Sequence, residues 1–318
     1  MKEFIIKNNE AGQRLDKYLK KLLPNANTSF IYKMLRKKNI TLSDKKASGT
    51  EILNSGEIIK IYFSDDTFEK FTINESELKK EYDKLSKLSL SGISIIFEDD
   101  DILIADKPSN MLSQKSKVSD VSVNEILLGY LIKNNELSFD DFKTFKPSVC
   151  NRLDRNTTGL ILMGKSLKGS QYLSQVLKDR NIDKYYRTVV SGVINDAKYI
   201  EGYLTKNEST NVVTISDSPI DSSSSIIKTE YRPIKISNNI TLLEVHLITG
   251  KSHQIRAHLA SIGHPIIGDP KYGNHKINEF YYKNYKIKNQ LLHAYMISFP
   301  DETSYIAPMP DIYSKIVK

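Results

Sequence analysis

The sequence predicts an α+β protein built around a mostly antiparallel sheet. Strand-like runs bounded by turn residues predominate over most of the chain, and helical patterns are interspersed among them. At 318 residues the chain is long for one compact domain, so two are expected. A composition of 39% hydrophobic, 26% charged and 9% aromatic residues suits a folded core.

Three regions follow in order, without internal repeats. In residues 1–63, Arg14–Leu23 places Leu15, Tyr18, Leu19 and Leu22 at helical spacing, and Pro24-Asn25 stops it. Thr28 or Ser29 is expected to cap a second helix, Phe30–Lys38, that buries Ile31, Met34 and Leu35 and exposes Lys33, Arg36, Lys37 and Lys38. Strands are expected at Ile40–Leu42 and Glu57–Phe63. Residues 64–92, rich in Glu, Lys and Ser, read as a charged linker with weak helical spacing. Residues 93–318 form the larger domain. Its expected strands include Ile93–Phe97, Ile102–Asp106, Gly159–Met163, Tyr186–Val190, Thr241–Ile248 and Ile297–Phe299, and its expected helices Ser170–Lys178 and His253–Ile262.

Charge points to the kind of partner. The net charge is +8, and residues 1–63 hold 13 Lys/Arg against 6 Asp/Glu, so most of the excess lies where a nucleic-acid-binding module would sit. Cys150 is the only cysteine, which excludes an intramolecular disulfide and a cysteine-rich metal site. The opening MKEFIIKNNE has too short an apolar run for a signal peptide, and no run approaches the roughly 20 residues of a membrane span. A cytoplasmic, membrane-free protein is expected, and nothing requires more than a monomer.

Three segments carry chemistry. In Cys150–Ser166, Asp154 lies between Arg152 and Arg155 and beside apolar Leu153, ahead of Thr157-Thr158-Gly159 and an apolar strand. Such a carboxylate suits nucleophilic work, although RLDR alone reads first as a turn cap or a structural ion pair. In Leu247–Gly273, a turn at Thr249–His253 feeds a helix carrying Arg256, whose rigid fork can hold a carboxylate. His253 and His258 are five apart, on different helix faces, which argues against a metal pair. Lys184-Tyr185-Tyr186-Arg187 and Leu291-Leu292-His293-Ala294 are ordinary strand sequences when taken singly.

In this order and together, the segments resemble the RluA family of pseudouridine synthases, in particular members with an N-terminal S4 RNA-binding domain. The family pattern H-R-L-D-x-x-T-S-G-L reads here from Asn151 to Leu160. T-G-R-T-H-Q-I-R-x-H-L reads from Thr249 to Leu259, and G-H-P-I-x-G-D-x-x-Y from Gly263 to Tyr272. Lys184 and Tyr186 match K-x-Y, and Leu292, His293 and Ala294 match L-H-A. Asp106–Leu112 resembles the K-P-x-G-x-L loop, and Gly12–Phe63 the S4 fold. Asn151 stands for His, Thr158 for Ser, Lys251-Ser252 for Arg-Thr and Asn110 for a loop Gly.

The resemblance implies a pseudouridine synthase fold, a mostly antiparallel mixed sheet with flanking helices, plus a small α/β S4 domain. It implies that Asp154 is the nucleophile, that Arg256 ion-pairs with it, and that Tyr186 packs on the target base and assists proton removal. Arg152 would fill the gap left by the flipped uridine, as chemistry on a base within RNA demands. Arg155, Lys251 and Leu292 would contact the substrate, as would Lys33, Arg36, Lys37 and Lys38 on the S4 surface. No cofactor or metal is implied. Large-subunit (23S) ribosomal RNA is the favoured substrate over transfer RNA. The rivals are a non-catalytic RNA-binding or ribosome-assembly factor, and a hydrolase using His253 or Cys150.

Overall fold

The computed structural model describes residues 1–318. The N-terminal part opens with strand β1 (Lys2–Ile5), helices α1 (Leu15–Leu22) and α2 (Thr28–Arg36), and strands β2 (Ile40–Leu42), β3 (Lys45–Lys46) and β4 (Ile58–Ile61). The four strands form one sheet in the order β1-β4-β2-β3. Both helices bury the expected faces: Leu15, Tyr18 and Leu19 from α1, and Ile31, Met34 and Leu35 from α2. These side chains and the sheet's Ile40, Ile59 and Ile61 make a separate core. The cap of α2 is neither Thr28 nor Ser29. Asn27 holds the extended conformation before the helix and accepts from the Phe30 N–H at 2.8 Å, because an Asx side chain reaches N3 from that position.

The stretch read as a linker is mostly helical. Helix α3 (Asp65–Phe71) is capped by Ser64, and α4 (Glu75–Leu85) by Asn74. Phe68 and Phe71 pack on the N-terminal core, whereas Leu78 and Leu85 enter the next one. The segment is therefore divided between two cores, with few apolar residues because each helix buries only one edge.

The remaining elements are β5 (Ser94–Glu98), β6 (Ile102–Lys107), α5 (Val123–Lys133), α6 (Phe139–Thr144), β7 (Ser148–Val149), β8 (Thr158–Gly164), α7 (Leu167–Lys178), β9 (Asp183–Ser191), β10 (Lys198–Asn207), β11 (Val212–Ser216), β12 (Ser225–Ser237), β13 (Ile240–Leu247), α8 (Gln254–Ser261), α9 (His275–Tyr285), β14 (Leu292–Ser298), β15 (Ser304–Ile306) and α10 (Ile312–Ile316). Their strands form an 11-stranded sheet with the order β11-β10-β12-β13-β9-β14-β8-β6-β5, with β15 added to β14 and β7 to β8. Only β14 and β8 run parallel, so the sheet is mixed and mostly antiparallel with flanking helices, the α+β arrangement expected from the sequence. No helix is long and apolar enough to cross a membrane.

The N-terminal part is fixed to the larger one by polar contacts. The Leu167 N–H at the start of α7 donates to Asn9 Oδ1 (2.9 Å), Gln171 Nε2 donates to the Gly12 carbonyl (3.3 Å), and Lys7 pairs with Asp141 (2.9 Å).

Two glycines set the chain paths around the site. Gly159 has φ +108°, and a Cβ there would overlap the backbone of Ala294 on the parallel strand β14. Gly268 has φ +80° and lies equally close to the Asn289 carbonyl. Close backbone approach at a positive φ admits little but glycine. Gly159→Ala should therefore cost about 3 kcal/mol or more, combining left-side strain with steric overlap. It should lower the thermal unfolding midpoint, read by circular dichroism, far more than alanine at exposed Gly12, where nothing lies within 4 Å of the new Cβ.

Candidate functional site

Asp154 lies in the loop between β7 and β8, where the chain turns before entering the sheet, and its own carbonyl accepts from the Thr157 N–H at 3.0 Å. The loop is fixed from behind. Ser113 Oγ accepts from the Leu153 N–H (2.9 Å) and donates to the Leu153 carbonyl (3.0 Å). Lys107 is fully buried and donates to the carbonyls of Pro108 (2.9 Å), Met111 (2.8 Å) and Arg155 (2.9 Å). Burial lowers its pKa to about 8 against the opposing pull of Asp154 and Asp106. The backbone on both sides of Asp154 is thus held, while its carboxyl keeps 27% of its surface open.

From the other wall, α8 delivers Arg256. Its Nη1 donates to Asp154 Oδ2 at 2.7 Å, and Nε and Nη2 donate to Asp269 Oδ2 (2.7 Å) and Oδ1 (2.9 Å). The guanidinium lies 5.3 Å from the Tyr272 ring centre. Burial works against the Arg256 charge, but the two carboxylates outweigh it and hold its pKa above the ordinary value. Asp269 has a side chain with 0% exposure. Burial pushes its pKa up, and Arg256 with the backbone N–H groups of Lys271 (2.8 Å) and Tyr272 (3.1 Å) brings it below the usual range.

Tyr186 on β9 is buried, with Leu153, Leu292 and Ala294 in the same apolar cluster. Burial, aided by the charge of Asp154, raises its phenol well above the ordinary value. It is a neutral packing surface and hydrogen-bond donor, which removes a resting phenolate from the chemistry.

A cleft of about 1040 Å³ opens over these groups. Arg152, Arg155, Lys251, Leu292, Tyr186 and Arg256 all line it, as does the unanticipated Arg180. Of its cations, only Arg256 meets a carboxylate at ion-pair distance. Lys33, Arg36, Lys37 and Lys38 lie outside the cleft, all exposed on or just after α2.

The histidines have separate partners. His253, a left-handed residue (φ 56°) before α8, shares a 2.9 Å hydrogen bond between Nδ1 and the Tyr272 hydroxyl. That hydroxyl also accepts from the Val213 N–H (2.9 Å). Burial keeps His258 and His293 neutral, with pKa values of about 4, bonded to Thr229 (3.0 Å) and Thr158 (2.7 Å). Burial also raises the Cys150 thiol, which contacts the Ser148 carbonyl at 3.6 Å. That environment favours packing over a nucleophilic thiolate.

Two departures from the family pattern have local accounts. Asn151 brackets β8, accepting from the Leu162 N–H (2.8 Å) and donating to the Leu160 carbonyl (3.2 Å). Asn110 has φ +63°, a conformation asparagine tolerates in place of glycine. Asp269, Tyr272, Ser113, Lys107 and Gln290 went unassigned in the sequence. Asp269 and Tyr272 stand inside a quoted motif, whereas no local pattern signals Ser113 as a backbone clamp.

The family model described as RNA pseudouridylate synthase matches residues 101–261. The chain is 30% identical over 320 residues to the ribosomal large subunit pseudouridine synthase C of Rickettsia bellii, covering 97% of this chain and 98% of that one. It is 28% identical over 290 residues to the protein of the same name from Vibrio cholerae, covering 91% and 85%. Among solved structures, human RNA pseudouridylate synthase domain containing 4 aligns with a TM-score of 0.56 at 17% identity, covering 76% of this chain and 95% of that one, a likeness of fold. With the matched segment spanning Asp154, Tyr186 and Arg256, this chain belongs to the RNA pseudouridylate synthase family and is an enzyme that isomerises uridine in RNA.

Proposed function

We propose that Asp154 is the nucleophile and that the enzyme modifies large-subunit ribosomal RNA. The observation that carries the first part is the doubly anchored Arg256, which holds an accessible carboxylate at the floor of the cleft. The N1–C1′ bond of uridine breaks, the base turns, and C5 bonds to C1′. N1 ends with a hydrogen and C5 gives one up, so the reaction consumes no co-reactant. Asp154 either adds to C1′ or takes a proton from the sugar as the base leaves. Arg256 fixes its direction, Tyr186 packs on the base, and Arg152 occupies the space vacated in the RNA. Arg155 and Lys251 meet the backbone, and Leu292 the base.

The ribosomal assignment draws on the names of the Rickettsia and Vibrio relatives and on the N-terminal part. We infer that residues 1–63 are an S4-like RNA-binding module, residues 64–92 its connection and residues 93–318 the catalytic domain. The exposed cations Lys33, Arg36, Lys37 and Lys38 would face RNA phosphates.

Tritium release from C5-labelled RNA separates the readings. Wild type should release label from ribosomal RNA and not from transfer RNA, and the opposite pattern would transfer the assignment to transfer RNA. Asp154→Asn should abolish release while leaving RNA affinity unchanged, and appreciable turnover in that variant would remove Asp154 as nucleophile. Asp269→Asn should lower kcat roughly 10- to 100-fold with little change in RNA affinity, because a loosened Arg256 misplaces the carboxylate. Lys37→Glu with Lys38→Glu should weaken RNA binding and flatten its salt dependence by roughly one unit of log–log slope per lost phosphate contact. An unchanged salt slope would count against the module's role.

A further inference from the structure

Two buried side-chain polar atoms in the protein have no hydrogen-bond partner: the Thr41 hydroxyl in the N-terminal sheet, and Oε1 of Gln290. Gln290 is 4% exposed and lines the catalytic cleft. A buried acceptor left without a donor is costly, and beside an active site the missing partner is naturally a ligand group.

The surroundings define that partner. Gln290 lies two residues before the start of β14, and its carbonyl accepts from the Leu292 N–H at 2.9 Å. Leu292 and Ala294 pack with Tyr186 and Leu153 in the cluster beneath Asp154. Gln290 Nε2 makes a long 3.4 Å contact with Oγ1 of Thr157, a buried residue three positions past Asp154. The carboxamide is therefore tethered at its nitrogen end to the catalytic loop, and its oxygen end is left over. Hydrogen bonds of this kind are often long in the free enzyme and tighten when substrate enters.

Uracil supplies what is missing. Its pairing edge carries a single donor, N3–H, between two carbonyl acceptors. Cytosine has a lone pair at N3 instead. We propose that Gln290 is a specificity-determining residue, whose Oε1 accepts the N3–H of the target uracil while Thr157 holds the carboxamide in that orientation. A site with a buried acceptor rejects a base lacking the matching donor, because the acceptor is then unpaired in the complex. The inference rests on the cleft around Asp154 being the uridine site.

The test uses the full chain and an RNA hairpin carrying the one uridine that wild type converts, located by mapping its product. A twin hairpin carries N3-methyluridine there, and single-turnover conversion is followed by nucleoside chromatography. Wild type should favour uridine by roughly 100-fold or more. Gln290→Met, similar in size but without the acceptor, should slow uridine roughly tenfold or more and scarcely affect the methylated base, so the preference falls at least tenfold. Gln290→Glu retains an acceptor oxygen and should retain the preference, which secures the reading if the Met variant folds poorly. Equal losses on both hairpins in Gln290→Met would reduce Gln290 to a structural role and overturn the proposal. Asp154→Asn runs alongside. Loss of turnover there with an unchanged Gln290→Met preference sinks the base-reading role alone, whereas persistent turnover sinks the site assignment and this inference with it.

Discussion

The guanidinium of Arg256, shared between Asp154 and Asp269, is the interaction on which the site's geometry depends. A buried arginine facing one carboxylate would be a neutral pair with spare donors and rotational freedom. Asp269 removes both, because it takes the Nε–Nη2 edge as a bidentate fork and leaves Nη1 directed at Asp154. Asp269 can be spent this way because the Lys271 and Tyr272 N–H groups also bond to it. The triad carries one net negative charge, and its accessible end is at Asp154. Desolvation is costly for buried ions, so this arrangement spends folding stability on fixing one carboxylate.

The sheet explains how residues distant in sequence converge on that carboxylate. Tyr186 pairs with Val245 on one neighbour and Ala294 on the other. Ala294 in turn meets Gly159 across the parallel junction. The crossing lets the strand after Asp154 run beside the strand after Gln290, with glycine required where their backbones meet. Lys107, at the end of β6, closes the arrangement by donating to three carbonyls, including that of Arg155, which also accepts from the Met111 N–H. Arg155 is therefore held by its backbone while its side chain remains exposed in the cleft.

Much of this was legible in the sequence, and the exceptions have physical causes. Strands such as Ile102–Asp106 and Gly159–Met163 could be located because they are continuous apolar runs, and the structure places strands at Ile102–Lys107 and Thr158–Gly164. The segment Ser225–Ser237 escaped notice because its strand alternates charged and apolar residues and contains Pro233, which lies beside a register shift. Helix α9 carries four aromatic residues but buries only Tyr281, so its periodicity is faint. Asp154 and Arg256 could be singled out because their neighbours are charged and their motifs are ordered. The second carboxylate of Arg256 could not, since the motif that contains Asp269 gives no sign, from sequence, that its aspartate meets Arg256. Gln290 has no sequence signature at all; only the absence of a hydrogen-bond partner identifies it.

The cations divide by the same criterion. Arg256 and Lys107 are buried, and acceptors inside the protein saturate them, so both serve the internal geometry. Arg152, Arg155, Arg180 and Lys251 are exposed in the cleft without acidic partners. Charges left unpaired around a single accessible carboxylate favour a polyanion that can approach despite that carboxylate, since the local field there is positive. The cleft is thus positive to an RNA backbone at its walls and negative at one point on its floor, and that separation lets a phosphodiester chain bind without displacing Arg256 from Asp154.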